Sequence, residues 1–343
     1  MKKVFIIIFS LILILAACNT TKNIPPGQYL LDDIEIKHDT KNATSDLEDF
    51  VRQIPNTSIP LLGKVRLGIY NIAGQDSSWI NRTIRNLGQA PVIYSPSLTM
   101  QSKNQLVRQL QNQGYLDATG DTLLQVNSDS NKIKVTYQLH GGIPYKIRNY
   151  TYAFSDTTIA RIMTRVPSSR LVAEGDYFDR DMLEEERLRV NEIMRNVGYY
   201  DFSKEFVYFK ADTTLNSHQV DLFMDVYPKP DSLPYRRYKI NDITVISGIR
   251  SNDFSASLDG RINSNQWFFR RADTTEYNGI KIIRGRNNFL RNSAIARNNF
   301  LRKGAYYSDM VLNWTYQSYS RMGAVRQVNI TTHPSDRKST RLN

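Results

Sequence analysis

Cys18 is the single cysteine among 343 residues, and its neighbours suit covalent attachment of lipid to its thiol. The chain begins with a basic pair, Lys2-Lys3, continues with an apolar run from Val4 to Leu15, and reaches Cys18 through Ala16-Ala17. This order is typical of a secretory signal, and the run is shorter than the roughly 20 residues of a membrane-spanning helix. The pattern predicts a lipoprotein signal peptide at residues 1–17 and an acylated Cys18. The alternative is an ordinary signal peptide with a chance cysteine.

No other set of residues has the spacing of a catalytic or metal-binding site. The histidines are far apart in sequence, and none has a carboxylate or cysteine at ligand spacing. They are His38, His140, His218 and His333. The chain also has no Gly-x-Ser-x-Gly elbow and no phosphate-binding loop. We therefore expect no catalytic residue, no metal, no cofactor and no enzymatic activity.

Three consecutive glutamates, Glu184–Glu186, could be interpreted as paired carboxylates for acid–base chemistry. Arg187 and Arg189 follow within a few residues, at spacings that form ion pairs on a helix surface. The pattern favours a solvated helix face over a catalytic pair.

The hexapeptide Arg-Asn-Asn-Phe-Leu-Arg occurs twice, at residues 286–291 and 297–302. An offset of 11 residues is close to three helical turns, so a continuous helix would align both copies on one face. That face would be a basic and aromatic stripe directed at lipid head groups or at the mouth of a membrane barrel. The favoured alternative is a chance duplication with one copy outside the helix.

The net charge of +12 is concentrated near the end of the chain. Residues 261–343 hold 15 Lys and Arg against 4 Asp and Glu, whereas the other 260 residues hold 30 against 29. Such a segment indicates an anionic partner, either nucleic acid or anionic lipid. The secretion signal argues against nucleic acid, so a membrane surface is the expected partner. A solvated basic surface without a partner is the alternative.

A succession of strand, helix, helix, strand and strand recurs along the chain. In the first copy, a strand at 29–38 precedes a helix at 99–113, which ends at Gly114, and an alternating strand at 132–139. In the second copy, a strand at 145–154 precedes a helix that begins at Asp179 or Asp181 and ends at Gly198. Strands at 205–210 and 219–227 follow that helix. Both helix ends continue as Gly-Tyr-x-Asp, at Gly114–Asp117 and Gly198–Asp201.

A third copy is predicted to be incomplete. It has a strand at 238–247, helices at 293–303 and 308–322, and a strand at 325–330, after which the tail is polar and basic. The repeats therefore predict an α+β protein of tandem small domains, each with two helices on one face of a three-stranded sheet.

The predicted domain boundaries follow from these elements. They are a signal peptide at 1–17, a lipidated tether at 18–28, a first domain at 29–142 with an insertion at about 57–97, a second domain at 143–230, an incomplete third domain at 235–332, and an irregular tail at 333–343.

The repeats resemble the polypeptide-transport-associated (POTRA) domains of the BamA and TamA family of outer-membrane β-barrel proteins. The resemblance rests on helices that end in Gly-Tyr, at Gly114-Tyr115 and Gly198-Tyr199, and on the opening Pro-Tyr-Lys-Ile at 144–147. With the predicted lipid, the segments at 24–31, 60–63 and 88–94 are similar to TamL, the lipoprotein subgroup of Bacteroidetes.

The resemblance implies a periplasmic arm of an outer-membrane protein assembly or translocation factor. Because members of this family continue into a β-barrel, it also implies that the chain is truncated before that barrel. Such an arm would bind unfolded outer-membrane or secreted polypeptides by strand addition at open sheet edges. It would be held at the outer membrane by lipid on Cys18 and, in the full protein, by a β-barrel, with an envelope-spanning protein as a further partner and no nucleic acid. The alternative is a periplasmic lipoprotein that binds cell-wall glycan through its tyrosines or acts as an envelope scaffold.

Overall fold

The computed structural model of the protein describes residues 20–40, 47–74, 76–127, 131–165, 170–214, 217–228, 235–248, 272–285 and 290–334. Contacts group these residues into two compact units. The first contains the described residues up to Thr151 together with Arg170–Leu183 and Ala211–Leu222, and the second contains the remaining described residues. The predicted signal peptide and Cys18 lie outside the described residues. The three-domain division stays a prediction.

The first sheet contains β1 (Leu30–His38), β2 (Thr119–Asn127) and β3 (Lys132–His140), in the spatial order β1-β3-β2. β1 runs parallel to β3, and β2 runs antiparallel to it. The alternation predicted for β3 produces one buried face. Its buried residues there are Ile133, Val135, Tyr137 and Leu139.

The described residues between β1 and β2 contain a short 3-10 helix (Leu47–Phe50) and the α-helices α1 (Val65–Ile72), α2 (Trp79–Leu87) and α3 (Pro96–Asn112). α3 begins three residues before its predicted start. Pro96 suits the first turn of α3, because the backbone N–H groups of that turn have no acceptor within the helix and proline lacks this group. Leu106 and Leu110 of α3 are buried in the same apolar cluster as Val135. α1 and α2 occupy the predicted insertion and pack against each other.

The second sheet contains β4 (Lys146–Tyr152), β5 (Val207–Asp212) and β6 (Gln219–Val226), in the order β4-β6-β5. Helices α4 (Thr157–Arg165) and α5 (Arg180–Asn196) lie between β4 and β5 in the sequence. The predicted succession of strand, helix, helix, strand and strand is therefore confirmed here.

The third sheet contains β7 (Thr244–Ser247), β8 (Asp273–Tyr277) and β9 (Ile280–Arg284), in the order β7-β9-β8. β7 is parallel to β9, and β8 is antiparallel to it, as in the first sheet. Both described helices of this region, α6 (Asn292–Arg297) and α7 (Asp309–Ser320), follow the sheet. The predicted order is wrong for this copy, because all three strands precede these helices.

Two further predictions in this region are wrong. The helix expected at 293–303 ends at Arg297, so residues 298–302 are not helical and the continuous basic stripe does not form. Residues 325–330, expected to be a strand, are irregular. The first hexapeptide copy lies largely outside the described residues. Within the described part of the chain, no helix combines the length and the apolar character needed to cross a membrane.

Candidate polypeptide-binding edge

The outer side of β2 is the longest open sheet edge with apolar side chains in the first unit. β3 pairs with β2 along all nine residues, from Thr119 opposite His140 to Asn127 opposite Lys132. Among the described residues, no strand pairs with the other side of β2. Such an edge can template the addition of another strand.

β2 also exposes apolar side chains. Leu124 lies opposite Val135 and Val126 lies opposite Ile133, so both are on the sheet face that contains the apolar core. Leu123 is on the opposite face. Each of the three is nearly half exposed, Leu124 at 46%. A strand added beside β2 would remove part of this apolar surface from water.

Other edges are shorter, charged or covered. The start of β1 is covered by residues 92–94, because the Leu31 N–H donates to the Val92 carbonyl at 2.8 Å and the Tyr94 N–H donates to the Tyr29 carbonyl at 2.9 Å. The six-residue β5 has its Val207 carbonyl bonded by the Arg187 guanidinium at 2.8 Å. The five-residue β8 carries two acidic residues. Charge and short length hinder strand addition, so β2 is the best candidate.

In the first unit, the Gly-Tyr-x-Asp motif binds the tyrosine that opens the next repeat. The Gly114 carbonyl accepts a hydrogen bond from the Tyr145 N–H at 2.8 Å, and the Tyr145 hydroxyl donates to Asp117 at 3.2 Å. The Tyr145 carbonyl accepts from the Phe178 N–H at 2.9 Å. We call this arrangement of Gly114, Asp117, Tyr145 and Phe178 the first tyrosine clamp.

The second unit contains an equivalent set, the second tyrosine clamp of Gly198, Asp201, Tyr238 and Tyr307. The Gly198 carbonyl accepts from the Tyr238 N–H at 2.7 Å, the Tyr238 hydroxyl donates to Asp201, and the Tyr238 carbonyl accepts from the Tyr307 N–H at 2.9 Å. The bond to Asp201, together with burial, raises the pKa of Tyr238 to about 12.

An ion pair extends the second tyrosine clamp. Arg195, near the end of α5, donates to Asp309 at 2.9 Å and to the Tyr307 hydroxyl at 2.9 Å. Burial disfavours the charge of Asp309, but the bonds from Arg195 and Tyr307 outweigh it and hold the pKa below its ordinary value. Both clamps thus bond residues on either side of a predicted repeat boundary, so each boundary is held by more than the covalent chain.

The glutamate run divides between surface and interior. Glu184 is partly exposed and pairs with Arg187 and Lys204, as expected of a helix face. Glu186 is fully buried, and Arg189 donates to both of its carboxylate oxygens at 2.7 Å. The interpretation as a solvated face is therefore wrong for Glu186, which is part of a buried ion pair.

The histidines do not assemble into a site. His38 bonds Thr40 at 2.8 Å, His140 lies 3.4 Å from Asp39, and His218 contacts the Tyr145 ring. Across the described ranges, no three or more His, Cys, Asp or Glu side chains are grouped to hold a metal ion.

One open cavity of about 400 Å³ lies against α7 in the second unit. Its lining residues are Asn298, Phe300, Trp314, Gln317, Ser318, Arg321 and Met322. The Ser318 hydroxyl donates to the Asn298 side chain at 2.7 Å, so these two polar groups are satisfied by each other. We assign no ligand to this cavity.

No protein-family model matches the chain, and no curated protein matches it. Similar solved structures include POTRA domains 3–5 of Haemophilus influenzae BamA, at 12% identity and a TM-score of 0.39 over 90% of this chain and 91% of that chain. The N-terminal domain of Omp85 from Thermosynechococcus elongatus is similar at 10% identity and a TM-score of 0.28, over 77% of this chain and 100% of that chain. POTRA domains 1–3 of the periplasmic domain of Anabaena Omp85 are similar at 15% identity and a TM-score of 0.23, over 60% of this chain and 68% of that chain.

Proposed function

We propose that this chain is the periplasmic arm of an outer-membrane protein assembly factor, and that it binds extended polypeptide by strand addition at β2. The observation that carries the proposal is the nine-residue open edge with Leu123, Leu124 and Val126 exposed on it. Main-chain hydrogen bonds would supply affinity without demanding a particular sequence. This tolerance suits a factor that receives many unfolded clients.

The length and apolar pattern of β2 suit a particular kind of client. A strand of a transmembrane barrel has about 9–11 residues, with apolar and polar side chains alternating. Added beside β2, such a segment would place every second side chain next to Leu124 and Val126, on the core face. A strongly charged segment would gain less, because it would bury no apolar surface.

We predict that a photo-crosslinking residue at position 124 forms an adduct with a soluble peptide of about ten alternating Val and Thr residues. The tested form is the chain from Asn19 to Asn343, which keeps every described residue and lacks the apolar leader. Leu124→Lys should weaken binding of the peptide about five- to tenfold, because the added strand would no longer bury the apolar side chain at this position. A tenfold change corresponds to about 1.4 kcal/mol. Mass spectrometry and fluorescence anisotropy provide the two measurements.

Leu188 supplies the matched control, because it is also a leucine with 46% exposure but lies on helix α5. Crosslinking at 188 should be absent, and Leu188→Lys should leave affinity unchanged. Equal adducts at 124 and 188, or equal losses of affinity, would show that exposed leucine rather than the strand edge captures the peptide.

We further propose that Cys18 carries the lipid and that the chain belongs to the TamL-like lipoproteins of the outer membrane. Its support is the apolar leader and the single cysteine after Ala16-Ala17. Two or more acyl chains are enough for stable membrane attachment. An envelope-spanning protein is the further partner in this proposal.

We predict that the full chain, expressed in a bacterium and labelled with a palmitate analogue, becomes labelled and fractionates with the outer membrane. Cys18→Ser should abolish the label completely, since no other cysteine is present. Label retained in Cys18→Ser, or none in the unaltered chain, would refute acylation at this residue.

Glycan binding by the tyrosines has less support. Six of the twenty tyrosines are buried, so the rings of these six cannot stack on a sugar. These are Tyr115, Tyr137, Tyr150, Tyr199, Tyr307 and Tyr319.

A further inference from the structure

Helix α2 exposes its apolar side. At 100° per residue, its apolar side chains and one threonine occupy a continuous arc of the helix, and its asparagines and arginines occupy the rest. The arc contains Trp79, Ile80, Thr83, Ile84 and Leu87. Trp79 is 76% exposed, Ile80 and Leu87 are more than half exposed, and no residue of the helix is buried. Surface helices of soluble proteins normally direct this side to the core.

The polar side of α2 is bonded to the loop that precedes the helix. Arg85 donates to the carbonyl oxygens of Gly74 and Asp76, each at 2.9 Å. Asn81 accepts from the Gly74 N–H at 2.9 Å and donates to the Asp76 carboxylate. These bonds hold the polar side of α2 against the loop that precedes it, so the apolar arc lies on the side of the helix away from that loop.

Other exposed apolar side chains lie in the same insertion as α2. Ile72 at the end of α1 is exposed, as are Ile59, Leu61 and Leu62 in the preceding loop. Residues 57–91 carry four basic side chains and one acidic one, so the insertion is cationic. An aromatic and aliphatic face beside arginines is typical of helices that lie in a membrane interface.

The predicted lipid would be attached close to this insertion. Asn23 donates to the Asn71 side chain at 3.1 Å, and Lys22 donates to the Asn71 carbonyl at 3.5 Å, so the tether contacts α1. Cys18 is four residues before Lys22, and four residues span at most about 14 Å. A bilayer that holds lipid on Cys18 would therefore be within reach of α1 and α2.

We infer that the α1–α2 insertion lies in the head-group region of the bilayer that holds the Cys18 lipid, with Trp79, Ile80 and Leu87 entering the acyl boundary. This inference rests on the proposed acylation of Cys18. The insertion would add a second contact with the bilayer beside the lipid and so orient the first sheet relative to the membrane. Arg82, about 60° around the helix from Trp79, would face the phosphate groups.

Trp79 fluorescence tests the inference directly, because it reports membrane contact of α2 and not binding of the vesicle by other basic regions of the chain. In the Asn19–Asn343 form carrying Trp267→Phe and Trp314→Phe, Trp79 is the only tryptophan. Vesicles of phosphatidylethanolamine and phosphatidylglycerol should shift its emission to shorter wavelength, and brominated acyl chains should quench it. In vesicle flotation, Ile80→Ser with Leu87→Ser should lower the partition coefficient about tenfold, because binding scales with buried apolar area.

Ile143→Ser with Leu188→Ser is the matched control, since both residues are exposed apolar side chains outside the insertion. It should leave flotation unchanged. If the emission of Trp79 does not shift, the inference is overturned. This holds if the chain floats through another region, and it also holds if the chain does not float and α2 instead docks on a protein. Palmitate labelling and crosslinking at 124 are separate measurements, so failure here is distinguishable from failure of the proposed acylation or strand addition.

Discussion

Arg189→Leu is expected to lower the free energy of unfolding of the region around α5 by about 3–5 kcal/mol. The substitution leaves the Glu186 carboxylate fully buried without the guanidinium that bonds both of its oxygens. Breaking a buried pair by removing one partner costs about this much, because the remaining charge is uncompensated. Urea unfolding with amide hydrogen exchange of α5 measures the change.

Lys204→Leu is the matched control, because Lys204 pairs with the partly exposed Glu184 of the same helix. A surface pair of this kind contributes about 0–1 kcal/mol. Adding Glu186→Gln to Arg189→Leu should recover part of the lost stability, since no buried charge remains. Equal losses for Arg189→Leu and Lys204→Leu would mean that the buried pair is no more important than the surface one.

The burial of Glu186 could have been predicted from its spacing. Leu183, Val190 and Met194 are buried, and Glu186 lies three residues after the first and four before the second. Positions i, i+3, i+7 and i+11 follow one helix face, so the periodicity places Glu186 in the apolar stripe. The charge of Glu186 is tolerated in this stripe because Arg189 bonds both of its carboxylate oxygens.

The third sheet also had a local signal in the sequence. Asn278 and Gly279 have φ values of +52° and +72°, as a two-residue hairpin turn between β8 and β9 requires. Asn-Gly between alternating residues is among the strongest hairpin signals. The early end of α6 was harder to predict. Asn298 bonds back to the Ala294 carbonyl and Asn299 to the Leu301 N–H, so side chains satisfy the backbone where the helix ends.

The hydrogen bonds of the tyrosine clamps could not be predicted from sequence spacing. Gly114 and Gly198 were predicted as helix ends, and their φ values of +92° and +112° suit that role. Their bonds to Tyr145 and Tyr238 join residues 31 and 40 positions apart, so they depend on how successive repeats pack. The exposure of β2 and of α2 likewise depends on which faces the rest of the chain covers.

Gly114→Ala is expected to destabilise the first unit more than the same substitution at Gly175. Gly175 has almost the same φ, +94°, and open space around it, so alanine there incurs only the left-handed backbone cost of about 1–2 kcal/mol. At Gly114 an added Cβ would lie 2.8 Å from the Phe178 carbonyl oxygen. Relieving that contact must move the backbone of the first tyrosine clamp, which should cost about 1–3 kcal/mol more.

Urea unfolding of both variants measures the difference, and hydrogen exchange of the Tyr145 and Phe178 amides locates it. Both amides should exchange faster in Gly114→Ala and stay protected in Gly175→Ala, because only the first substitution displaces the clamp. If the two variants lose equal stability, the left-handed conformation alone explains both glycines. The Gly-Tyr-x-Asp motif would then end the helix without positioning the next repeat.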